Sequence, residues 1–384
     1  MKVLHLVHSF QTGGAERVVV NLIYFASPWL DNSVCSLTEP NDLVATLAAR
    51  STPFVCLRKR SGNDLGAVLR LARLIDEQQI DVVHAQGWGT YLEGLIAAKL
   101  LSRRRPRFIF AFHGKSIDDV SNGVPWRRRV AQRLAFSFTD ACIAPAAHMA
   151  RDYAASIGVP PDRIAVIYNG IDTARFAPRR DSEVRRSLGI DDNAFVVGFA
   201  GRLDPVKDIG TALAAFASLR AAVPEQARAT VRMLIVGDGA ERAALEQAAQ
   251  ARGLAGSVLF AGMRSDVPAC MSAMDVYLQP SLYEGHSLTI MEAMAMGLPV
   301  ISTRVGGTPE IIADGENGFL REPRDSEGMA QIAHELYSRP QLRERIGQAA
   351  RARITGDFSV ATMVSAYEHL YMRLLKGVEP QCAG

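Results

Sequence analysis

The stretch that decides the fold is residues 276–302, VYLQPSLYEGHSLTIMEAMAMGLPVIS. It begins with the apolar run Val276–Gln279 and ends with another, Pro299–Ser302. Between them, Ser287 stands where a side chain would cap a helix running on from Leu288. Two short apolar runs joined by a helix predict two parallel strands with a right-handed crossover. This stretch therefore predicts one unit of a doubly wound α/β fold.

The same alternation of strand and helix runs along the whole chain. Short apolar runs are separated by longer segments with apolar positions at helical spacing. Besides those two runs, the predicted strands are Val3–Val7, Ser33–Leu37, Pro53–Leu57, Ile80–His84, Arg107–Phe112, Ala141–Ala144, Ile164–Ile167, Phe195–Phe199, Val231–Val236, Val258–Phe260 and Gly318–Leu320. A less regular stretch, residues 169–193, interrupts the rhythm once.

The length of the chain and this interruption predict two domains. The 384 residues are about two to three times an ordinary domain. We expect Rossmann-like domains over residues 1–175 and 176–358, facing one another across a cleft. Residues 359–384 include an amphipathic helix without a strand partner, which we expect to return to the N-terminal domain.

The charge distribution argues against a nucleic-acid binder and leaves open whether the N-terminal half binds a membrane. A net charge of +3 argues against a dedicated nucleic-acid binder. Residues 1–175 nevertheless hold 21 basic and 15 acidic side chains, with arginine-rich runs at 103–107 and 127–133. The second run includes Trp126, Val130 and Leu134 at helical spacing, which is typical of a helix on an anionic membrane. It also fits a solvated basic face whose apolar residues pack in the core.

Cysteine usage and hydropathy indicate the compartment. The five cysteines, at 35, 56, 142, 270 and 382, form no Cys-x-x-Cys pair, which favours reduced thiols in a cytosolic protein. The apolar run at the N-terminus is too short for a signal peptide. No segment reaches the ~18–20 apolar residues that span a bilayer. We expect a cytoplasmic protein, at most peripheral on the inner face of the plasma membrane.

Ligands of doubly wound folds bind at the carboxyl ends of the strands, so candidate residues are sought in the loops that follow strands. In the first half these loops carry Gly13-Gly14 and His113-Gly114. Paired glycines before a helix let amides approach an anion, but they also suit a tight turn without a ligand. His113 could reach into a cleft, or it could be a half-buried histidine bonded to the backbone.

The second half carries two cations on one loop. The segment Gly201–Lys207, GRLDPVK, follows a predicted strand and precedes a helix. Arg202 offers a planar fork and Lys207 a point charge, a combination that suits a diphosphate. A solvated loop is the alternative.

Two glutamates flank the start of the predicted helix at Leu288. The first turn of a helix has amides without partners in the helix, and these would face a bound anion. Glu284 and Glu292 cannot hold phosphate, but they can accept hydrogen bonds from hydroxyls of a sugar and a ribose on either side of a diphosphate. Gly306-Gly307, after the next strand, forms another loop of close approach.

Taken together, these motifs resemble the retaining glycosyltransferases of family 4, which have the GT-B fold. The resemblance covers nearly the whole chain, through GGAERVV, HG, NGID, GRLDPVK, EGHSLTIMEAMAMGLPVI, GGTPE and DGENGFL. It implies transfer of a sugar from a nucleotide-diphosphate sugar to a hydroxyl acceptor with retention of the anomeric configuration. The acceptor would be a glycan or a lipid-linked glycan of cell-surface polysaccharide synthesis.

The resemblance also implies roles for single residues of the second half. Arg202 and Lys207 would bind the donor diphosphate, Glu284 the hydroxyls of the donor sugar, and Glu292 the ribose. The amides of Leu288 and Thr289 would bind phosphate oxygens.

Further implied contacts lie in three other loops. Met263 and Arg264 belong to the loop that would meet the base, His113 would lie near the transferred sugar, and Gly13 and Gly14 would lie between donor and acceptor. Within the glutamate motif, Gly285 matches the family, whereas His286-Ser287 stands where the family often has an aromatic residue and glycine. This departure leaves the donor sugar open.

No cofactor and no metal are implied, because the chain has no Asp-x-Asp triplet and the cations would replace a metal. The donor would be UDP- or GDP-linked. Three other functions are weighed against this one. A nucleotide-sugar epimerase of the same fold would need several acid/base residues in the cleft and does not explain the two-glutamate helix. A dehydrogenase would need G-x-G-x-x-G after a strand, and neither half has it. A non-catalytic partner subunit would lack a cation or a glutamate, and all are present here.

Overall fold

The computed structural model describes residues 1–114 and 125–376. The chain divides into two compact units. The first comprises Met1–Gly170 and the segment that begins at Val360, and the second is Ile171–Ser359. Ile171, the first residue of the second unit, donates its amide to the carbonyl of Phe358 in the same unit at 2.9 Å.

The first unit is built on a seven-stranded parallel sheet in the order β3-β2-β1-β4-β5-β6-β7. Its strands are β1 (Lys2–Val7), β2 (Asp31–Ser36), β3 (Phe54–Cys56), β4 (Val82–Gln86), β5 (Arg107–Ala111), β6 (Ala141–Ala144) and β7 (Ile164–Val166). Its α-helices are Gly14–Tyr24, Val44–Leu47, Leu65–Glu77, Trp88–Ile96, Trp126–Phe136, Ala147–Ile157 and Val360–Leu375.

The second unit has a six-stranded parallel sheet in the order β10-β9-β8-β11-β12-β13. Its strands are β8 (Phe195–Ala200), β9 (Val231–Val236), β10 (Val258–Gly262), β11 (Val276–Gln279), β12 (Val300–Thr303) and β13 (Phe319–Arg321). Its α-helices are Ser182–Ser187, Ile209–Ala222, Arg242–Ala251, Val267–Ser272, Leu288–Ala295, Thr308–Ile311, Ser326–Ser338 and Pro340–Asp357.

The predicted α/β fold is therefore confirmed, strand by strand. Central strands are buried on both faces, as a sheet covered by helices on each side requires, so they appear in the sequence as continuous apolar runs. The helices instead bury one stripe. Leu65–Glu77, for example, buries Val68, Leu71 and Ile75 and exposes Leu65.

The C-terminal helix Val360–Leu375 packs on the first sheet. Its buried face includes Val364, Tyr367 and Leu370, which lie in one apolar cluster with Val3 of β1. Polar contacts reinforce this packing. The amide and the hydroxyl of Ser27 both donate to the carboxylate of Glu368, each at 2.8 Å. The helix therefore belongs to the first unit, although the whole second unit separates the two in sequence.

The cysteines of the described residues are not paired with one another. Cys35, Cys142 and Cys270 are buried and Cys56 is half-buried, and all four are free thiols. Burial raises the pKa of the Cys35 and Cys142 thiols. The predicted thiol at position 382 lies outside the described residues. Across residues 1–114 and 125–376, no helix is both long and apolar enough to cross a bilayer.

Each sheet has one point where the strand order reverses, between β1 and β4 in the first and between β8 and β11 in the second. Loops leaving the carboxyl ends of two such neighbours run in opposite directions and open a crevice. In the second unit these are the loops that carry Arg202, Lys207 and Glu284. The topology thus brings together residues that are far apart in sequence.

Candidate active site

A lysine and a glutamate meet at the switch point of the second unit. Lys207 ends the short 3₁₀ turn after β8, and Glu284 lies in the loop after β11. The Lys207 Nζ is 2.7 Å from the Glu284 Oε1, and the two side chains are 18% and 7% exposed. At this burial the pair is poorly screened by solvent, so each charge holds the other in place.

Two neutral side chains bind the same glutamate oxygen. The amide of Gln279 donates to the Glu284 Oε1 at 2.5 Å, and the hydroxyl of Ser281 donates at 2.6 Å. The hydroxyl of Tyr277 in turn lies 2.8 Å from the Gln279 Oε1. Glu284 is thus fixed by three donors, of which two come from the strand end and loop that precede it.

A glycine-rich loop lies directly on the backbone of Glu284. The amide of Gly307 donates to the carbonyl of Gly285 at 2.9 Å. Gly306 has a φ of +54°, and a Cβ there would lie 1.7 Å from the carbonyl oxygen of Glu284. Only a glycine allows this close approach. The loop predicted at Gly306-Gly307 therefore packs against the backbone of Glu284.

The helix Leu288–Ala295 begins beside this glutamate. Ser287 is its N-cap residue, as the sequence predicts, but the side chain makes no hydrogen bond to an amide of the helix. Its hydroxyl lies instead 3.3 Å from that of Thr289. The first-turn amides are therefore not capped by a side chain, which is what an anion site at a helix start requires. Glu292, one turn further along, is buried.

The two cations of the loop after β8 have different partners. Whereas Lys207 binds Glu284, the Arg202 Nη2 lies 3.2 Å from the Asp204 Oδ2. The Arg202 side chain is 80% exposed, so this ion pair is weak and a phosphate could replace it at little cost. The structure therefore brings Lys207, but not Arg202, to the first glutamate.

The loops after β8, β9 and β10 contact one another closely through their backbones. Gly201 donates its amide to the carbonyl of Val236, and Gly237 donates to that of Gly262 at 2.8 Å. A Cβ at Gly237 would lie 1.9 Å from the carbonyl oxygen of Gly201. In the third of these loops Met263 is exposed, and Arg264 forms a two-pronged ion pair with Asp266.

His286, which departs from the family motif, behaves as an aromatic residue. It is buried, and its ring centre lies 5.4 Å from that of Phe358. Burial lowers the pKa of His286 to about 3, because the charged imidazolium would lose its hydration. At neutral pH the side chain is therefore a neutral ring packed on another ring.

In the first unit, His113 follows β5 and is held by a residue from β4. Its Nε2 is 2.6 Å from the Gln86 Oε1, an acceptor, so Nε2 carries the proton and Nδ1 keeps its lone pair. Burial lowers the pKa of His113 to about 4, so the ring is neutral at neutral pH. A neutral imidazole with a fixed tautomer can accept a hydrogen bond at Nδ1.

The glycine pair of the first unit begins a helix. Gly13 is the N-cap residue and Gly14 the first residue of Gly14–Tyr24. A Cβ at Gly13 would lie 2.3 Å from the Glu16 Oε2, so the glutamate folds back over the helix start. Burial raises the pKa of Glu16. These residues belong to the first unit, as His113 does.

Sequence reasoning missed the residues that support the predicted ones. Gln279, Ser281 and Gln86 each bind a predicted site residue, and none was singled out. A signal was present for two of them, because Gln279 and Gln86 are each the polar last residue of a buried strand. Among the described residues, no cluster of three or more His, Cys, Asp or Glu side chains could hold a metal ion.

Each half of the chain matches the model of a known protein family. Residues 12–175 match the model described as Glycosyltransferase Family 4, and residues 180–353 match the one described as Glycosyl transferases group 1. A D-inositol 3-phosphate glycosyltransferase of Stackebrandtia nassauensis is 31% identical over 82% of this chain and 73% of its own length. The chain therefore belongs to glycosyltransferase family 4, and the predicted resemblance is confirmed.

Two further similarities are to proteins whose names or structures specify substrates or ligands. The UDP-Gal:alpha-D-GlcNAc-diphosphoundecaprenol alpha-1,3-galactosyltransferase of Escherichia coli is 26% identical over 90% of this chain and 89% of its own. HepE of Anabaena, solved with UDP and glucose, superposes with a TM-score of 0.84 at 27% identity, covering 97% of this chain and 99% of that one. HepE has also been solved with UDP-glucose. The fold is GT-B, and the protein is a glycosyltransferase.

Proposed function

We propose that the protein transfers a sugar from a UDP- or GDP-linked donor to a hydroxyl acceptor with retention of the anomeric configuration. The observation that carries this proposal is the Lys207–Glu284 pair at the switch point, beside the uncapped start of Leu288–Ala295. A cation and free amides serve a diphosphate, and a fixed carboxylate serves sugar hydroxyls.

Each part of this site has a task in the proposed reaction. Negative charge develops on the leaving diphosphate in the transition state, and Lys207, Arg202 and the amides of Leu288 and Thr289 stabilise it electrostatically. Glu284 holds donor-sugar hydroxyls and Glu292 the ribose, while the loop at Met263 and Arg264 meets the base. Retention follows if the acceptor attacks on the face from which the diphosphate departs, with a phosphate oxygen taking its proton.

The first unit would bind the acceptor and line the sugar. His113, neutral and with a lone pair on Nδ1, can accept a hydrogen bond from a sugar hydroxyl. The Gly13-Gly14 loop would lie between donor and acceptor. HepE, solved with UDP-glucose, supports a nucleotide-sugar donor, and the relative named for a diphosphoundecaprenol substrate supports a lipid-linked glycan acceptor of polysaccharide synthesis.

A donor panel tests the proposal. UDP- and GDP-sugars are added singly to the protein, thermal shift is recorded, and release of the nucleoside diphosphate is then followed with and without a lipid-linked glycan extract. We expect stabilisation by one or a few nucleotide sugars and faster release with acceptor. Conversion of the donor into its epimer without transfer would instead identify an epimerase.

The proposed reaction needs neither a metal nor a cofactor, because the cations and helix amides face the leaving diphosphate. We therefore expect initial rates of transfer with the donor found in the panel to be unchanged by millimolar EDTA. The same rates are measured after adding Mg²⁺ or Mn²⁺ in excess. Loss of activity in EDTA that Mn²⁺ restores would contradict a metal-independent mechanism.

We also propose that the first unit binds an anionic membrane through the helix Trp126–Phe136. Trp126, Val130, Leu134 and, just after the helix, Phe138 are all 57–68% exposed, so they do not pack in the core. At 100° per residue the first three lie within an arc of about 80°. The helix buries Gln132, Ala135 and Phe136 on its opposite side.

The charges beside this apolar arc favour an anionic membrane as its binding partner. Arg127 and Arg133, both exposed, flank the apolar arc on its two sides, which is the arrangement of a helix lying in a lipid interface. Each basic residue near an anionic bilayer contributes about 1 kcal/mol, so a few of them hold a protein reversibly. A lipid-linked acceptor would give such binding a purpose, and the protein would then be peripheral on the inner face of the plasma membrane.

Sedimentation with anionic liposomes tests this face. We expect binding at low salt that weakens as salt rises, and that is lost when Trp126, Val130 and Leu134 are changed to serine. Leu65→Ser, at another exposed leucine of the first unit, is the matched control and should bind as the wild type does. Protein that stays in the supernatant would overturn the proposal, and a dimer that the triple variant abolishes would assign the face to a second copy.

A further inference from the structure

Three donors converge on one oxygen of Glu284. Lys207, Gln279 and Ser281 all bind Oε1, at 2.7, 2.5 and 2.6 Å. A carboxylate oxygen has two lone pairs, so three donors at these distances saturate it. The oxygen left to accept a hydrogen bond from a ligand is Oε2.

Two of the three donors are too deep to touch a ligand. Gln279 and Ser281 are 0% exposed, whereas the Glu284 side chain keeps 7% exposure. Gln279 also donates to the Ser281 Oγ at 3.0 Å, and its own Oε1 is bound by the Tyr277 hydroxyl. Gln279 therefore has one orientation, with its amide nitrogen towards Glu284, and any effect of it on a ligand must pass through that carboxylate.

We infer that Gln279 and Ser281 are positioning residues that hold Glu284 with Oε1 saturated and Oε2 presented to a hydroxyl of the donor sugar. This inference rests on the proposed function, since it names what supports the sugar-binding carboxylate. Removing either donor lets the carboxylate turn, so recognition of the sugar suffers. Recognition of the diphosphate, which uses the helix amides, Lys207 and Arg202, should persist, because none of these groups is hydrogen-bonded to Gln279 or Ser281.

Calorimetric titration with a matched pair of ligands tests the inference. The pair is the nucleotide sugar that the wild type binds in the panel and the nucleoside diphosphate of the same base. For Gln279→Met and Ser281→Ala we expect the nucleotide sugar to bind about 5- to 20-fold more weakly. Affinity for the nucleoside diphosphate should be unchanged.

A neighbouring buried serine supplies the matched control. The hydroxyl of Ser302 is also 0% exposed and donates to the backbone carbonyl of Gln279 at 3.0 Å, without touching Glu284. Ser302→Ala should leave both affinities unchanged. Ser281→Ala should weaken nucleotide-sugar binding in the wild type but no further in a Glu284→Gln background, because its effect passes through the carboxylate.

The possible results separate two failures. If the wild type binds no nucleotide sugar, the proposed function fails and this inference with it. If the wild type binds but the variants lose both ligands equally, or lose neither, the positioning role is wrong and the proposed function stands. Ser281→Ala removes a single oxygen atom, so it remains informative if Gln279→Met does not fold.

Discussion

Replacing Lys207 by alanine should lower kcat/KM for the donor by roughly 30- to 1,000-fold, or about 2–4 kcal/mol of transition-state stabilisation. In the proposed reaction the change removes a cation that would face the leaving diphosphate, and it also takes the charged partner from a buried Glu284. Steady-state kinetics with the donor from the panel measures the loss. Arg202→Ala should lower kcat/KM in the same direction, because the exposed guanidinium would exchange Asp204 for a phosphate.

A second lysine separates catalysis from stability. Lys99 forms a similarly buried ion pair with Asp140 in the first unit, with side-chain exposures of 20% and 14%. Lys99→Ala should lower the thermal midpoint in the same direction as Lys207→Ala, because each change takes a cation from a partly buried carboxylate, although Asp140 keeps the Arg107 Nη1 at 2.9 Å. It should keep kcat/KM near that of the wild type. Wild-type kcat/KM in Lys207→Ala would show that the lysine does not serve the diphosphate.

Gly306→Ala should abolish more than 99% of transferase activity, on the order of a 100-fold loss. The new Cβ would stand 1.7 Å from the carbonyl oxygen of Glu284, so one of the two loops must move. Displacing Glu284 separates it from Lys207, Gln279 and Ser281 together. Activity under saturating donor, with circular dichroism to show that the variant folds, provides the measurement.

The control for Gly306→Ala is a glycine with the same backbone conformation and open space around it. Gly315 has a φ of +81°, and no atom lies within 4 Å of the position its Cβ would take. Gly315→Ala should cost about 1 kcal/mol of stability, from the strain of a positive φ alone. Its activity should be that of the wild type. Equal activity in the two variants would mean that the approach to Glu284 is unimportant.

The strands could be predicted because this fold gives them a distinctive sequence pattern. A strand buried on both faces must be apolar throughout, so the runs before Lys207 and Glu284 stand out from the amphipathic helices around them. Adding the known order of a doubly wound sheet places the loops after these strands at one edge. The family motifs then supply the identity of the side chains.

The contacts within the site could not be predicted, because they depend on distances that no spacing along the chain contains. Lys207 and Glu284 are 2.7 Å apart only because β8 and β11 are neighbours at the switch point, which is a property of the sheet order. The ion pair between Arg202 and Asp204 could likewise not be predicted, because Asp204 competes with a phosphate for the guanidinium. The exposure of Trp126 and Val130 could not be predicted either, because it depends on how their helix packs on its neighbours.

Amide hydrogen exchange with and without the nucleotide sugar from the panel tests the central claim most directly. The claim is that the loops after β8 and β11 and the start of Leu288–Ala295 bind the donor. We predict slower exchange on donor binding in two segments, residues 201–208 and 284–290, because phosphate oxygens would take up the amides of Leu288 and Thr289. Binding with unchanged exchange in both segments, or with protection confined to other parts of the chain, would contradict the account.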